Sequence, residues 1–508
     1  MENVSVPRIL ISSAGSSAGK TTVMCALLGA IPDAAAIKCG PDFIDPLFHQ
    51  KVLGRATGNI DLFFTEPSVA RGIFAHDAEG ARIVLCEGAM GFYDGAGGTE
   101  KASAYEAARD LGCPVILVVD AKGKSLSVCA EINGFAAFRE KDGDRSGICG
   151  VILNRATEAV YESLAPQIER ECGVRALGYL EDCADFAIES RHLGLVTPDA
   201  VQGLREKMKK LSAAAKKSFE IEEIVRIAQG APVLEYENLF ASCQTFSGDM
   251  DGMAERKQTV RIAVARDEAF CFYYRENLEL LEAMGAELVE FSPLHDRLIP
   301  AGCHALYVGG GYPELFPIDL AGNTTMLQSV RQFCRRGAPV FAECGGFLYL
   351  QLAGVLAGTF ENRRKLVRFG YVTLTANEDT ILCRAGDKIR GHEFHYFDTT
   401  ENGSAFTAEK LNGKSWRCMV SAVPVADMHD APCRKAAGKK PTVLAGFPHL
   451  YFPGNPQFAK NFVEAARDFA EGKRSDCAGC GGCLSGNGCG GCVKNGGKFG
   501  DNPPILTV

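Results

Sequence analysis

No apolar run in this chain approaches the ~18 residues needed to cross a bilayer, which argues against a helical membrane protein. No basic block is present either. With 54 Lys and Arg against 62 Asp and Glu, the net charge is −8, which argues against a general nucleic-acid or membrane-surface binder. The opening MENVSVPRILISSAG lacks the charged-then-apolar order of a secretory leader. No repeat of fixed period is visible, and the one tryptophan, Trp416, lies in no recognisable motif. The expectation is a cytoplasmic protein. What is present is ordinary globular composition, 46% hydrophobic and 23% charged, which argues against global disorder. At roughly 150 residues per domain, the 508 residues predict two to four domains.

Short β-branched runs alternate with helix-like segments over the first ~200 residues, at 8–13, 82–87, 114–120 and 149–154. Continuous apolar runs of that length read as buried parallel strands with crossover helices, a doubly wound α/β pattern. A second α/β series opens at 260–265 and continues through 287–291, 305–308 and 339–342. Between the two, EKMKKLSAAAKK and then polar, glycine-containing sequence read as a linker. The expected organisation is a first domain over 1–204, a linker over 205–257, a second domain over 258–470, and a Gly/Cys-rich tail over 471–508.

Directly after the strand-like ILISS stands A-G-S-S-A-G-K-T, followed by a helix-like run. Such a loop turns backbone N–H groups and a helix N-terminus toward an anion. Gly15, Gly19, Lys20, Thr21 and Thr22 are therefore the candidate ATP-binding residues. Lys20 would reach the β and γ phosphates, and Thr21 would offer a hydroxyl to Mg²⁺. Ala14 stands where the strict pattern has glycine, so the loop is a variant. Two acidic clusters belong with it: Asp42 and Asp45 in GPDFIDP, and Glu87 and Asp94 around the strand end CEGAMGFYDG. Carboxylates at strand ends beside a phosphate loop are where Mg²⁺ is held in nucleotide sites, although Asp in Pro/Gly loops is as often a turn former.

A second chemistry is written in PVFAECGGFLYL. Cys344 ends a strand and precedes two glycines and a helix-like run, an arrangement that exposes a nucleophile. Gly310 and Gly311, after the strand ALYV, offer bare backbone for an oxyanion. The base would be a later histidine: His392, His395 or His449.

The segments KCGPDFIDPLFH, CEGAMGFYDG, ESRHLGLV, LYVGGGYPELF, AECGGFLYL and GHEFHYF resemble the cobyrinic acid a,c-diamide synthase family. Enzymes that amidate hydrogenobyrinic acid, sirohaem or nickel-sirohydrochlorin share them. The resemblance covers about 6–470. It implies a phosphate-loop domain similar to dethiobiotin synthetase, followed by a flavodoxin-like class I glutamine amidotransferase domain. It further implies an ATP-, Mg²⁺- and L-glutamine-dependent carbon–nitrogen ligase of cobalamin biosynthesis that amidates the a and c carboxylates through acyl phosphates. The partner would be a corrin-type tetrapyrrole, with no nucleic acid or membrane involved, and an oligomer is compatible. The resemblance places Asp42, Asp45, Glu87 and Asp94 on metal or substrate-carboxylate positions. It makes Cys344 the nucleophile, His449 the proton shuttle, and the backbone at Gly310 and Gly311 the oxyanion site. The usual triad acid is absent, since Tyr451 stands two residues past His449. Glu393 in GHEFHYF is an acidic candidate for orienting His449. His192, Asn154, Lys122 and Lys124 each admit a substrate or nucleotide contact beside a plain loop role.

The tail is open. Cys477, Cys480, Cys483, Cys489 and Cys492 form C-x-x-C-x-x-C-x5-C-x-x-C, spacing that suits zinc, an iron–sulfur cluster or delivery of a tetrapyrrole metal. The surrounding glycines bring no apolar shell, and a flexible appendage is the other reading.

Overall fold

Seven short runs with every or nearly every residue buried form the first sheet. They are β1 (Arg8–Ser13), β2 (Ala34–Cys39), β3 (Thr57–Ile60), β4 (Ile83–Gly88), β5 (Val115–Asp120), β6 (Ile148–Asn154) and β7 (Arg175–Leu180). In this computed structural model their order is β3-β2-β4-β1-β5-β6-β7, with every neighbouring pair parallel. The structure describes residues 2–55, 57–139, 143, 145–183, 186, 198–244, 259–423 and 440–472. His192 and the five tail cysteines lie outside the described residues.

Parallel strands covered on both faces lose the in–out alternation of a half-exposed sheet, which is why these runs read as continuously apolar. The helix α1 (Lys20–Ala30) follows β1, and α2 (Ile44–Leu53) follows β2. Most of α1 is buried, because a long helix, α3 (Pro198–Ser218), covers its outer side. A Cβ on Gly29 would stand 2.8 Å from the Cβ of Ser212, so the two helices approach closely at that glycine.

That packing corrects the linker expected over 205–257. Met208, Leu211, Ala215 and Phe219 are buried in one core with Met24, Leu28 and Phe48. A second helix, at Ile221–Gln229, adds Ile224 and Ala228 to it. The lysines between those positions make the segment look like solvated sequence, but its apolar residues recur at helical spacing and form a stripe. The first of two compact units therefore runs to Ser242 and also takes in Tyr274–Glu276. Residues 245–258 of the expected linker lie outside the described residues.

The second unit carries β8 (Val260–Ala265), α4 (Arg275–Ala283) from Asn277 onward, β9 (Ala286–Phe291), β10 (Ala305–Val308), β11 (Val340–Glu343) and α5 (Gly345–Leu352). Further strands are β12 (Arg368–Ala376), β13 (Lys388–His395), β14 (Phe406–Glu409), β15 (Ser415–Cys418), β16 (Val420–Ala422), β17 (Val443–Gly446) and β18 (His449–Leu450). One sheet runs β9-β8-β10-β11-β17-β16, parallel except for its β16 edge. Its first five strands have the 2-1-3-4-5 order of flavodoxin-like folds. A five-stranded sheet, β15-β14-β12-β13-β18, is antiparallel. In β12 the even residues Val372, Leu374 and Ala376 are buried while Phe369 is half-exposed, the alternation of a one-sided sheet. Among the described residues no helix is long and apolar enough to cross a membrane.

Candidate functional site

In parallel α/β sheets the ligand crevice lies outside the carboxyl ends of the strands. The loops after β1, β2 and β4 all leave the first sheet at that end, and the candidate residues of the first site lie on them, in the first turns of α1 and α2, and at the end of β4. Gly19 has φ 94°, and a Cβ there would fall 2.0 Å from Nδ2 of Asn154, so only glycine fits. Asn154 donates to the carbonyl of Ala18 at 3.0 Å. It braces the loop after β1 from the end of β6. Gly15 has open space about it, and Thr22 follows Thr21 in the first turn of α1.

Lys20 donates to Ser13 Oγ at 3.0 Å, to the carbonyl of Gly15 at 3.1 Å, and to the carbonyl of Met90. Burial, with the like charge of Lys38 next, lowers its pKa to about 8. Thr21 donates its hydroxyl to Oε1 of Glu87 at 2.7 Å. Glu87 is fully buried, and burial followed by the charge of Asp45 pushes its carboxyl up to about 7.

Lys38 and His49 are the residues sequence reasoning missed here. Lys38 donates to Asp45 at 2.5 Å and stands 3.3 Å from Glu87. Burial works against its charge, yet Asp45 and Glu87 hold the ammonium firmly protonated. Burial opposes ionisation of Asp45 as well, and Lys38 outweighs it and keeps that carboxyl below its ordinary range. A lysine inside the otherwise apolar strand AAAIKC was the available signal, since lysine is almost never buried without a partner. His49 lies 3.8 Å from Glu87, but burial lowers its pKa to about 4, so the imidazole is neutral and the contact is not an ion pair. Asp42 accepts from the amide of Ile44 at 3.0 Å, and burial and Asp45 push it up to about 6. Asp94 accepts from the amide of Gly91 at 3.0 Å.

A Mg²⁺ ion prefers oxygen donors. The Thr21 hydroxyl and the Glu87 carboxylate supply them, and Oε2 of Glu87 is buried without a hydrogen-bond partner. That orphaned oxygen fits a cation. Asp45 is less suited, because Lys38 already engages it. Lys122 and Lys124 are paired with Asp182 and Glu131, at 2.7 and 2.6 Å.

The second site gathers at the carboxyl end of β11. Cys344 sits between β11 and α5 with φ 48° and ψ −107°, a conformation that non-glycine residues rarely adopt. Its strain marks a tight elbow that turns the thiol away from the strand. A Cβ on Gly310 would lie 3.3 Å from the Cβ of Cys344 and 2.5 Å from Cε1 of His449, so Cys344 and the His449 imidazole both border this one glycine. A Cβ on Gly345 would lie 3.4 Å from the amide nitrogen of Gly311. Burial, then the nearby Glu314, pushes the Cys344 thiol up to about 12, while the Gly345 amide works the other way. Burial, then His392 and His395, lowers His449 to about 3. The resting pair is a neutral thiol beside a neutral imidazole.

The other histidines separate clearly. His395 stacks on Phe447 at 3.9 Å, and its Nδ1 lies 2.6 Å from the carbonyl of Phe397. His392 is the register partner of His449 across β13 and β18, with the rings of Phe369 and Tyr371 beside it. That register corrects the orienting role considered for Glu393. Successive strand residues face opposite ways, so Glu393 points to the sheet face away from His392 and His449. There it meets the charge of Arg368, whose guanidinium lies 4.9 Å over Trp416, and burial pushes the carboxyl up to about 7.

An elbow cysteine beside a histidine on an α/β unit, in a chain whose other α/β unit is a doubly wound parallel sheet, fits a glutamine-dependent ligase. Residues 261–455 match the CobB/CobQ-like glutamine amidotransferase domain. A Clostridium tetani protein named cobyrinate a,c-diamide synthase is 35% identical over 90% of this chain and 99% of its own length. One of the same name from Salmonella typhimurium is 33% identical over 90% and 98%. A solved glutamine amidotransferase from Thermotoga maritima aligns over 43% of this chain and 87% of its own, at TM-score 0.28 and 14% identity, too distant to bear on the site. The chain belongs to the cobyrinate a,c-diamide synthase family.

Proposed function

We propose that this chain amidates the a and c carboxylates of cobyrinic acid, using ATP and glutamine, as a step of cobalamin biosynthesis. The observation that carries the reading is the presence of both half-sites in one chain, the Lys20–Thr21–Glu87 cluster and the Cys344–Gly310–His449 cluster.

In the first unit a substrate carboxylate oxygen attacks the γ-phosphorus of ATP, giving an acyl phosphate and ADP. The step is needed because hydroxide is too poor a leaving group for ammonia to displace. Lys20 and the loop amides hold the β and γ phosphates against the start of α1. Mg²⁺, when bound, offsets charge on the phosphate oxygens, and Thr21 and Glu87 are the residues that would hold it. Lys38 holds Asp45 in place and adds a fixed positive charge at the carboxylate-rich end of the sheet.

In the second unit the neutral imidazole of His449 takes the thiol proton as Cys344 attacks the amide carbon of glutamine. Amides at Gly310, Gly311 and Gly345 stabilise the tetrahedral oxyanion. His449 returns the proton to the departing ammonia, and water then releases glutamate from the thioester. Ammonia displaces phosphate from the acyl phosphate to give the amide. Two carboxylates are processed, each consuming one ATP and one glutamine.

The second reading retains the chemistry and changes the ring to hydrogenobyrinic acid, sirohaem or nickel-sirohydrochlorin. Competition among the four rings, with products read by mass, tests the substrate. Preferential double amidation of cobyrinic acid is expected, and preference for another ring would overturn the assignment.

A further inference from the structure

The triad acid that the sequence lacks after His449 leaves a question of what fixes that histidine against Cys344. A buried polar network in the second unit answers it. Glu343, the residue immediately before Cys344, is 2% exposed and ends the apolar strand β11. Its Oε1 accepts from the amide of Leu450 at 2.7 Å, and its Oε2 accepts from the hydroxyl of Tyr307 at 2.7 Å. Leu450 is the residue immediately after His449.

The carbonyl of the same Leu450 accepts from Nδ2 of Asn277 at 2.8 Å, and Oδ1 of Asn277 accepts from the amide of Phe452 at 2.7 Å. Asn277, on α4, and Tyr307, on β10, are each 0% exposed. Two buried polar side chains, Glu343 and Asn277, thus engage one short stretch of backbone while Tyr307 braces Glu343, and both polar groups of Leu450 are engaged. A buried carboxylate is costly unless hydrogen-bonded, and here both oxygens are satisfied.

We infer that Glu343 is the positioning residue of the glutamine-hydrolysing site: it ties the strand bearing the nucleophile to the strand bearing the base, through the Leu450 amide. This rests on the reading of Cys344 and His449 given above. Glu343 acts by holding β18 at a fixed distance from β11. A misplacement of about 1 Å in such a site costs on the order of a hundredfold in rate.

The test compares Glu343→Ala, Glu343→Gln and Cys344→Ala in the full chain, with cobyrinic acid and either glutamine or free ammonia. Glu343→Ala is expected to lower kcat with glutamine about a hundredfold while leaving KM for glutamine within about threefold and the ammonia-supported rate unchanged. Glu343→Gln presents an acceptor to Leu450 and a donor to Tyr307, so it is expected to restore most of the glutamine-supported rate. Equal losses in the Gln and Ala variants would overturn the positioning role, as would parallel loss of the ammonia-supported rate or an unchanged kcat in Glu343→Ala. If Glu343→Ala fails to fold, the Gln variant alone decides, by a glutamine-supported kcat within about tenfold of the parent or far below it. Cys344→Ala tells the two levels apart: retention of glutamine-supported activity there would remove the thiol mechanism itself, whatever Glu343 does.

Discussion

Thr21 donates its hydroxyl to Glu87 across 2.7 Å, joining the first turn of α1 to the carboxyl end of β4. The bond brings the phosphate loop and the acidic strand end together, although 66 residues separate them in the chain. The remaining oxygen of Glu87 is buried and without a partner, poised for a cation. Substituting Glu87→Gln retains the shape and an acceptor for Thr21 but removes the charge. Ligation supported by either glutamine or ammonia is expected to fall by about a hundredfold or more. The Mg²⁺ concentration for half-maximal rate is expected to rise. Titration of rate against Mg²⁺ for both proteins checks this, and an unchanged requirement would remove Glu87 from the metal.

Lys20 supplies a pH dependence with a definite sign. Burial lowers its pKa to about 8, and phosphate oxygens favour its charged form. ATP is therefore expected to bind tightly below that pH, with an affinity that falls as pH rises through it. Binding at the alkaline end takes up a proton. Calorimetry at neutral and alkaline pH in buffers of different ionisation enthalpy reads both effects. Lys20→Arg, charged throughout, is expected to flatten the profile.

Gly310 leaves no room for a side chain. A Cβ there would stand 2.5 Å from His449 and 3.3 Å from Cys344. Gly310→Ala is expected to suppress glutamine-supported ligation by about a hundredfold while ammonia-supported ligation persists. Glutamate release and amide formation, measured together, separate the two.

Asn154 braces the carbonyl of Ala18 from the end of β6. Asn154→Ala deletes that bond, and ATP KM is expected to rise about tenfold, the effect of losing roughly one charge-free hydrogen bond to a binding loop. Glutamine hydrolysis, run in the second unit, is not expected to change.

Much of this was legible in the chain because buried parallel strands announce themselves as short apolar runs. RILISS and VILVVD became β1 and β5 nearly as read. The loop of Lys20 was legible through its glycines, and Cys344 through its place between a strand and a helix. Met208, Leu211 and Ala215 were hidden because lysines surround them, so the composition looked solvated although the spacing is helical. Glu343 was hidden for another reason. Its role is to hold the backbone of a residue 107 positions away, and no local spacing encodes that. Glu393 misled for lack of a register: only the pairing of His392 with His449 shows which way it points.

The central claim is that the nitrogen released beside Cys344 becomes the amide nitrogen of the tetrapyrrole. Cobyrinic acid would be incubated with ATP, Mg²⁺ and glutamine carrying heavy nitrogen in its side-chain amide, in the presence of unlabelled ammonium, and the product weighed. The account predicts two carboxyl-to-amide exchanges with heavy nitrogen in the product, replaced by unlabelled nitrogen when Cys344 is changed to alanine. Labelled amide persisting in that variant, or no amidation of the ring by the intact protein, would contradict it.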